Sequence, residues 1–137
     1  MAIRVYIDTN IVMDLLDADR KKHGASADRI ASLLREDARL YVNSDTLVTA
    51  FYLLRSRKKV QLSEALDALR KVTQLCDLVT IELSQVDQAL SLCEDPDSNF
   101  KDYEDALQYV CARKIGAGAI LTNDQGFVSP DVPVWRS

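Results

Sequence analysis

The sequence predicts an α/β fold in which helices cover both faces of a parallel sheet. Short apolar runs rich in β-branched residues alternate along the chain with longer stretches whose apolar residues recur at helical spacing. Such alternation is typical of a parallel sheet wrapped by helices. The 137 residues have the length of one domain, 1–137, which can bury a core without a disulfide or a structural metal.

Each predicted strand is a short apolar run bounded by turn residues. These runs are residues 3–7, 40–42, 78–83 and 119–122. A fifth run, residues 132–135, contains Pro133 and is therefore expected to be a short edge strand.

Helices are predicted where apolar residues recur every three or four positions. They cover residues 11–16, 26–35, about 44–57, 62–75, 86–92 and 100–114. Ser44 or Asp45 is expected to cap the third of these helices, and Ser63 the fourth. Residues 17–24 are polar and basic, so we predict a loop there.

The composition narrows the class of protein. A net charge of −4 and a pI of about 4.9 argue mildly against a nucleic-acid binder, although metal-bound acids would invert the local field.

The cysteines, Cys76, Cys93 and Cys111, are widely spaced among helical apolar residues and are predicted to be reduced core thiols. His23 is the only histidine, which excludes a site of several histidine ligands. No apolar run reaches membrane-span length and no leader is visible, so we expect a cytoplasmic protein.

Three segments place a carboxylate where a sheet of this kind forms its sites. Asp8 and Asp124 follow the first and fourth predicted strands, and Asp105 lies near the start of the helix that leads into the fourth. Sites in parallel sheets lie beyond the carboxyl ends of the strands, where the strand order switches. Right-handed crossovers would bring all three carboxylates to this edge.

Converging carboxylates are costly unless a cation lies among them. Their hard oxygen atoms suit Mg²⁺ or Mn²⁺, which can activate water and stabilise displacement at phosphorus. Asn10 and Thr122 are candidates to hold Asp8 and Asp124 in place. Taken singly, each motif has a plainer interpretation as a helix cap, a turn or a first-turn acid. Only their joint occurrence favours a metal site.

Two other carboxylate-rich α/β families fit poorly. A response-regulator receiver needs an aspartate after the third strand, where this chain has Glu82-Leu83-Ser84. A haloacid-dehalogenase-type phosphatase needs Asp-x-Asp after the first strand, and here the second aspartate is Asn10.

Three segments in this order resemble the PIN-domain family: IDTNIVMDLL, FKDYEDALQYVCA and ILTNDQGF. The resemblance covers nearly the whole chain, and the D-x-x-D-A-L helix is similar to one bacterial subgroup. It implies a three-layer fold with a parallel sheet of about five strands. It also implies a Mg²⁺- or Mn²⁺-dependent endoribonuclease that hydrolyses RNA by metal-activated water. Many small bacterial members resemble VapC-type toxins, which implies a homodimer and an antitoxin protein as partners.

The resemblance assigns roles by position. Asp8, Asp105 and Asp124 match the family's metal-binding, catalytic aspartates, with Asn10 and Thr122 as supporting groups.

Asp102 matches the extra acid of the subgroup and is a further catalytic candidate. Many active members carry a glutamate on the helix after the second strand, at about Thr49 here, and this helix contains none. Asp102 could compensate for the missing acid. The alternative is a catalytically weakened PIN-like module that binds RNA or a protein.

The densest basic cluster is a candidate for contacts with RNA phosphates. Its members are Arg55, Arg57, Lys58 and Lys59. A solvated helix end, where basic residues complement the helix dipole, is the competing interpretation.

Overall fold

The computed structural model describes residues 2–137. Within that range the chain forms one five-stranded parallel sheet with strand order β3-β2-β1-β4-β5. The strands are β1 (Arg4–Ile7), β2 (Arg39–Asn43), β3 (Cys76–Val79), β4 (Ala119–Leu121) and β5 (Val134–Trp135). The predicted α/β class and parallel sheet are confirmed.

The helices follow the strands in the alternation that the sequence predicts. They are α1 (Thr9–Leu16), α2 (His23–Arg35), α3 (Ser44–Ser56), α4 (Leu62–Leu75), α5 (Leu83–Glu94) and α6 (Tyr103–Lys114). No helix within residues 2–137 is long and apolar enough to cross a membrane.

The sheet separates two hydrophobic cores, one on each face. Alternation along β1 sends Val5 and Ile7 to one face and Tyr6 to the other. The first core packs under α1–α4, and the second under α5 and α6. Both faces of the central strands are therefore buried, which explains their almost uninterrupted apolar sequences.

The third strand lies earlier than predicted, and the range 78–83 is wrong. Cys76–Val79 pairs in parallel with β2, while Leu83 already belongs to α5. Glu82 ends the extended segment because its side chain and that of Gln85 form a reciprocal capping box at the start of α5. The apolar Ile81 packs into the second core from the connection, which made it resemble a strand residue.

Several helix starts also differ from prediction. Neither Ser44 nor Asp45 caps α3, because the side chain of Asn43 accepts the Thr46 amide at 3.0 Å. Ser63 does not cap α4 either; Gln61 occupies that position and makes no side-chain capping bond.

The predicted loop at residues 17–24 is shorter, because α2 already begins at His23. The helix predicted from residue 100 begins only at Tyr103, after Asp102. Phe100 lies outside that helix and is buried in the second core.

Candidate active site

The first and fourth strands are neighbours, so their carboxyl ends meet. The Asp8 amide donates to the Leu121 carbonyl at 3.0 Å, which fixes the ends of β1 and β4 side by side. The strand order switches here, since β2 lies on one side of β1 and β4 on the other. The switch point, where the sequence predicts a site, therefore lies between the carboxyl ends of β1 and β4.

Asp8 is held by side chains from the two strand ends. It occupies the N-cap position of α1 but makes no side-chain capping bond. Its Oδ2 instead accepts from Thr122 Oγ1 at 2.6 Å and from Asn10 Nδ2 at 2.8 Å. Asp8 is only 3% exposed, so these donors stabilise a carboxylate that burial disfavours.

Thr122 ties this carboxylate to Asp124. Its Oγ1 also accepts from the Asp124 amide at 3.0 Å and from Asn10 Nδ2 at 3.1 Å. The Asp124 carboxylate caps its own turn by accepting from the Gly126 amide at 2.9 Å. We call Asp8, Asn10, Thr122 and Asp124 the strand wall.

Arg136 and Asn123 secure the turn behind the strand wall. Arg136 Nη1 donates to the carbonyls of Thr122 and Asp124, at 2.9 and 2.7 Å. Asn123 Nδ2 donates to buried Asp14 at 3.2 Å and to Ser137 at 2.8 Å. The Asp124 turn is therefore fixed on its outer side.

The start of α6 forms the opposite side of the site. Asp102 caps the helix, with its Oδ1 accepting from the Asp105 amide at 3.0 Å. Glu104 and Asp105 follow in the first turn, where the helix dipole favours negative charge. We call Asp102, Glu104 and Asp105 the helix wall.

A cleft of about 280 Å³ separates the two walls. Asp8, Asp124, Asp105 and Glu104 contribute carboxylates to it, and Thr49 of α3 also lines it. The structure therefore brings together the three aspartates that the sequence singled out. Asp102 lies beside Asp105 in its capping position rather than among the residues that line the cleft.

Like charges perturb the carboxylates around the cleft. Partial burial, followed by repulsion from Asp102, Asp8 and Asp124, raises the pKa of Asp105 to about 7. Burial also raises the pKa of Asp8, opposed by hydrogen bonds from Thr122 and Gln108. The neighbouring carboxylates thus disfavour the ionisation of Asp105.

The donor set fits a hard divalent cation. Carboxylate oxygens from separate segments face one cleft, and a cation there would relieve the repulsion that raises these pKa values. No group of three acidic, thiol or imidazole side chains within residues 2–137 forms a ready-made metal cage.

Glu104 is the cleft residue that sequence reasoning missed. Partial burial raises its pKa, as do the nearby charges of Asp8 and Asp102, while a hydrogen bond with Thr9 lowers it. The available signal was its position immediately before Asp105, in the same first helical turn.

Arg20 is the only basic residue among the described residues that line the cleft. Its Nε donates to Asp14 Oδ1 at 2.8 Å, and Asp14 is 3% exposed. Ser26 Oγ donates to the other Asp14 oxygen at 2.7 Å. The guanidinium is thereby oriented by a buried, hydrogen-bonded partner.

The predicted RNA-binding cluster lies at the end of α3, away from the residues that line this cleft. Lys58 pairs with Asp17 at 3.3 Å and with Asp19 at 2.6 Å. Arg55 donates to the Val60 carbonyl at 2.9 Å. Arg57 and Lys59 are exposed beside them, and an RNA contact by this cluster stays a prediction.

Residues 4–126 match the family model of the PIN domain. The chain belongs to the PIN-domain family. It is also 37% identical over 131 residues to Ribonuclease VapC1 of Aquifex aeolicus (strain VF5), covering 96% of this chain and 88% of that relative. The resemblance inferred from the three sequence segments is confirmed.

Two solved structures share this PIN-domain fold. VapC20 of Mycobacterium tuberculosis, a Sarcin-Ricin loop cleaving toxin, has a TM-score of 0.69 at 17% identity, covering 85% of this chain and 86% of that one. VapBC2 of Rickettsia felis, bound to a DNA fragment from its promoter, has a TM-score of 0.72 at 13% identity, with 98% of both chains covered. At these identities the likeness concerns the fold.

Proposed function

We propose that this PIN-domain protein is a Mg²⁺- or Mn²⁺-dependent endoribonuclease. The observation that carries the proposal is the meeting of the strand wall and the helix wall at one cleft, where Asp8, Asp105 and Asp124 face each other. The relative that is 37% identical is named a ribonuclease, which supports RNA as the substrate.

Asp8, Asp105 and Asp124 would hold the cation. When bound, a divalent cation supplies positive charge to the phosphate oxygens and acidity to a coordinated water. Thr122 and Asn10 keep the Asp8 carboxylate turned toward the cleft by their two hydrogen bonds. The same Thr122 hydroxyl fixes the backbone of Asp124.

Arg20 would bind the RNA strand at the edge of the cleft. A guanidinium suits phosphate oxygens because its planar donors can contact two of them at once. The bond to Asp14 orients the side chain before RNA arrives, while 38% of the side chain remains exposed for a second contact. The positive charge of the Arg20 guanidinium would offset the repulsion between the RNA phosphates and the carboxylates of the cleft.

The decisive experiment compares the wild type with Asp8→Asn. We expect the wild type to bind Mn²⁺ in calorimetry and to cleave RNA only with Mg²⁺ or Mn²⁺ present. Asp8→Asn should lose both properties while keeping its circular dichroism spectrum. A wild type that binds no Mn²⁺, or that cleaves equally well in EDTA, would contradict the proposal.

The second candidate function is a PIN-like module that binds RNA or a protein without efficient cleavage. Thr49 favours it, since α3 offers no acid to the cleft from that position. Binding of RNA in filter or fluorescence assays without metal-dependent cleavage would establish this alternative.

We also propose that the protein acts as the toxin of a toxin–antitoxin pair. Support comes from the VapC name of the identified relative and from the VapBC complex that shares the fold. Induced expression should arrest growth, and an adjacent antitoxin gene should restore it. The homodimer stays a prediction, which sedimentation of the purified chain would test.

A further inference from the structure

Glu104 lies where two cavities of the protein meet. The first is the carboxylate cleft between the two walls. The second, of about 190 Å³, lies between α3 and α6. Thr9, Thr49 and Glu104 line both cavities, so the Glu104 side chain reaches the cleft from α6 opposite the α3 residue Thr49.

We propose that Glu104 is a fourth carboxylate of the cation site, contributed from α6 opposite Thr49. This inference rests on the proposed metal-dependent function and adds a residue to it. In this arrangement Glu104 supplies from α6 the negative charge that a carboxylate at position 49 would supply from α3.

Gln108 is an independent observation at this place, because within residues 2–137 it leaves a donor unpaired beside the second cavity, which Glu104 also lines. Gln108 is 1% exposed and lines the second cavity together with Glu104. Its Oε1 accepts from the Thr9 amide at 3.1 Å, which fixes the amide orientation. Its Nε2 is a buried donor without a hydrogen-bond partner among the described residues. Such a donor is costly unless a water or an anionic oxygen completes it.

Asp102, also in the helix wall, caps the start of α6. Asp102 Oδ1 caps α6 through the Asp105 amide, and this bond positions the residue at the helix end. Glu104 has no such capping bond to maintain, because it lies inside the first turn rather than at the N-cap. Of these two acids, Glu104 lines the cleft and Asp102 does not.

The plainer role of Glu104 is to complement the dipole of α6 in its first turn. That role predicts a small loss of stability in Glu104→Gln and no specific change in metal binding. A ligand role predicts the opposite pattern. Removing a like charge should stabilise the metal-free protein slightly, and the affinity for Mn²⁺ should fall.

The test compares the wild type with four variants, one of which is Asp102→Asn. It measures Mn²⁺ affinity by calorimetry and the rise in melting temperature on adding Mn²⁺. Glu104→Gln should weaken Mn²⁺ binding by about tenfold or more, and Thr49→Glu/Glu104→Gln should recover most of that loss. Glu64→Gln, an exposed first-turn acid of α4, makes the same charge change away from the cleft and serves as the control.

The outcomes separate this inference from the proposed function. If the wild type binds Mn²⁺ but Glu104→Gln binds it equally well, the role of Glu104 is refuted and the nuclease proposal stands. If Asp102→Asn weakens binding and Glu104→Gln does not, the extra carboxylate is Asp102 instead. If Glu104→Gln weakens binding no more than Glu64→Gln does, only bulk charge is involved and the inference fails. A wild type without Mn²⁺ affinity refutes both proposals.

Discussion

The two walls of the cleft are built on different principles. In the strand wall, Asp8 and Asp124 are joined through one hydroxyl and one amide, and every link is a hydrogen bond of 2.6 to 3.1 Å. In the helix wall, Asp105 and Glu104 lie on the first turn of α6, where Glu104 has a hydrogen bond with Thr9. Among residues 2–137, no shared hydroxyl or amide joins these two carboxylates as Thr122 and Asn10 join the strand wall. Their pKa values are raised by partial burial and by neighbouring carboxylates.

This difference shows which half of the site is preorganised. Hydrogen bonds from Thr122 and Asn10 fix the position of the Asp8 carboxylate in the strand wall, although burial raises its pKa. The helix wall depends on the weaker helix dipole and on whatever positive charge enters the cleft. A cation should therefore order the helix wall more than the strand wall.

The largest effect should come from removing the central carboxylate of the strand wall. Asp8→Asn should lower metal-dependent RNA cleavage by more than about 100-fold, the upper range for loss of a mere supporting group. Single-turnover cleavage at one fixed Mn²⁺ concentration, chosen to saturate the wild type, measures this. A loss below tenfold would mean that the strand wall does not contain the principal ligand.

Breaking the network without removing a carboxylate should have the next largest effect. Thr122→Val deletes the hydroxyl that serves Asp8 and Asp124, so Mn²⁺ affinity should fall by about 10- to 100-fold. Thr122→Ser keeps the hydroxyl and should remain close to the wild type in calorimetry. Equal behaviour of the two variants would show that the network does not position the ligands.

Removing the positive charge of Arg20 should weaken the binding of RNA more than the binding of the metal ion. Arg20→Gln retains a donor for Asp14 but should raise the KM for RNA several-fold. The slope of log affinity against log salt should decrease by about 0.7, the value for one contact with a single strand. Lys21→Gln, its exposed neighbour, is the control; an identical slope in both variants would exclude a phosphate contact by Arg20.

The smallest effect should be the contribution of Asp105 to the stability of the metal-free protein. Because the folded-state pKa of Asp105 is raised from 3.8 to about 7, the folded protein holds this proton more tightly than the unfolded chain does. The free energy of unfolding should therefore fall as the pH rises between these values. In EDTA, Asp105→Asn should raise the melting temperature more at pH 8 than at pH 5. An equal difference in melting temperature between the two proteins at pH 5 and pH 8 would show that folding does not raise the pKa of Asp105.

The sequence predicted the strand wall well because its signals are local. Asp8 and Asp124 each follow a strongly apolar, β-branched strand, and a parallel sheet places such ends along one edge. Asn10 and Thr122, each two positions from one of these aspartates, are the supports that the sequence predicts, and both donate hydrogen bonds to Asp8.

The parts that escaped prediction depend on contacts between distant segments. Glu104 reaches the cleft from α6 beside Thr49 of α3, and no pattern in α6 reveals that contact. The third strand was misplaced for a related reason, since pairing with β2 rather than local apolarity decides where it ends.

The bond between Thr122 and Asp8 joins residues separated by 114 positions. Contacts of such sequence separation are slow to form, because the loop between them must close first. Asn10 can reach Asp8 locally, but Thr122 can do so only after β4 has paired with β1, so a growing or partly folded chain lacks the assembled site. Local detachment of the short β4–β5 edge would likewise disable the cleft while β1, β2 and β3 remain folded.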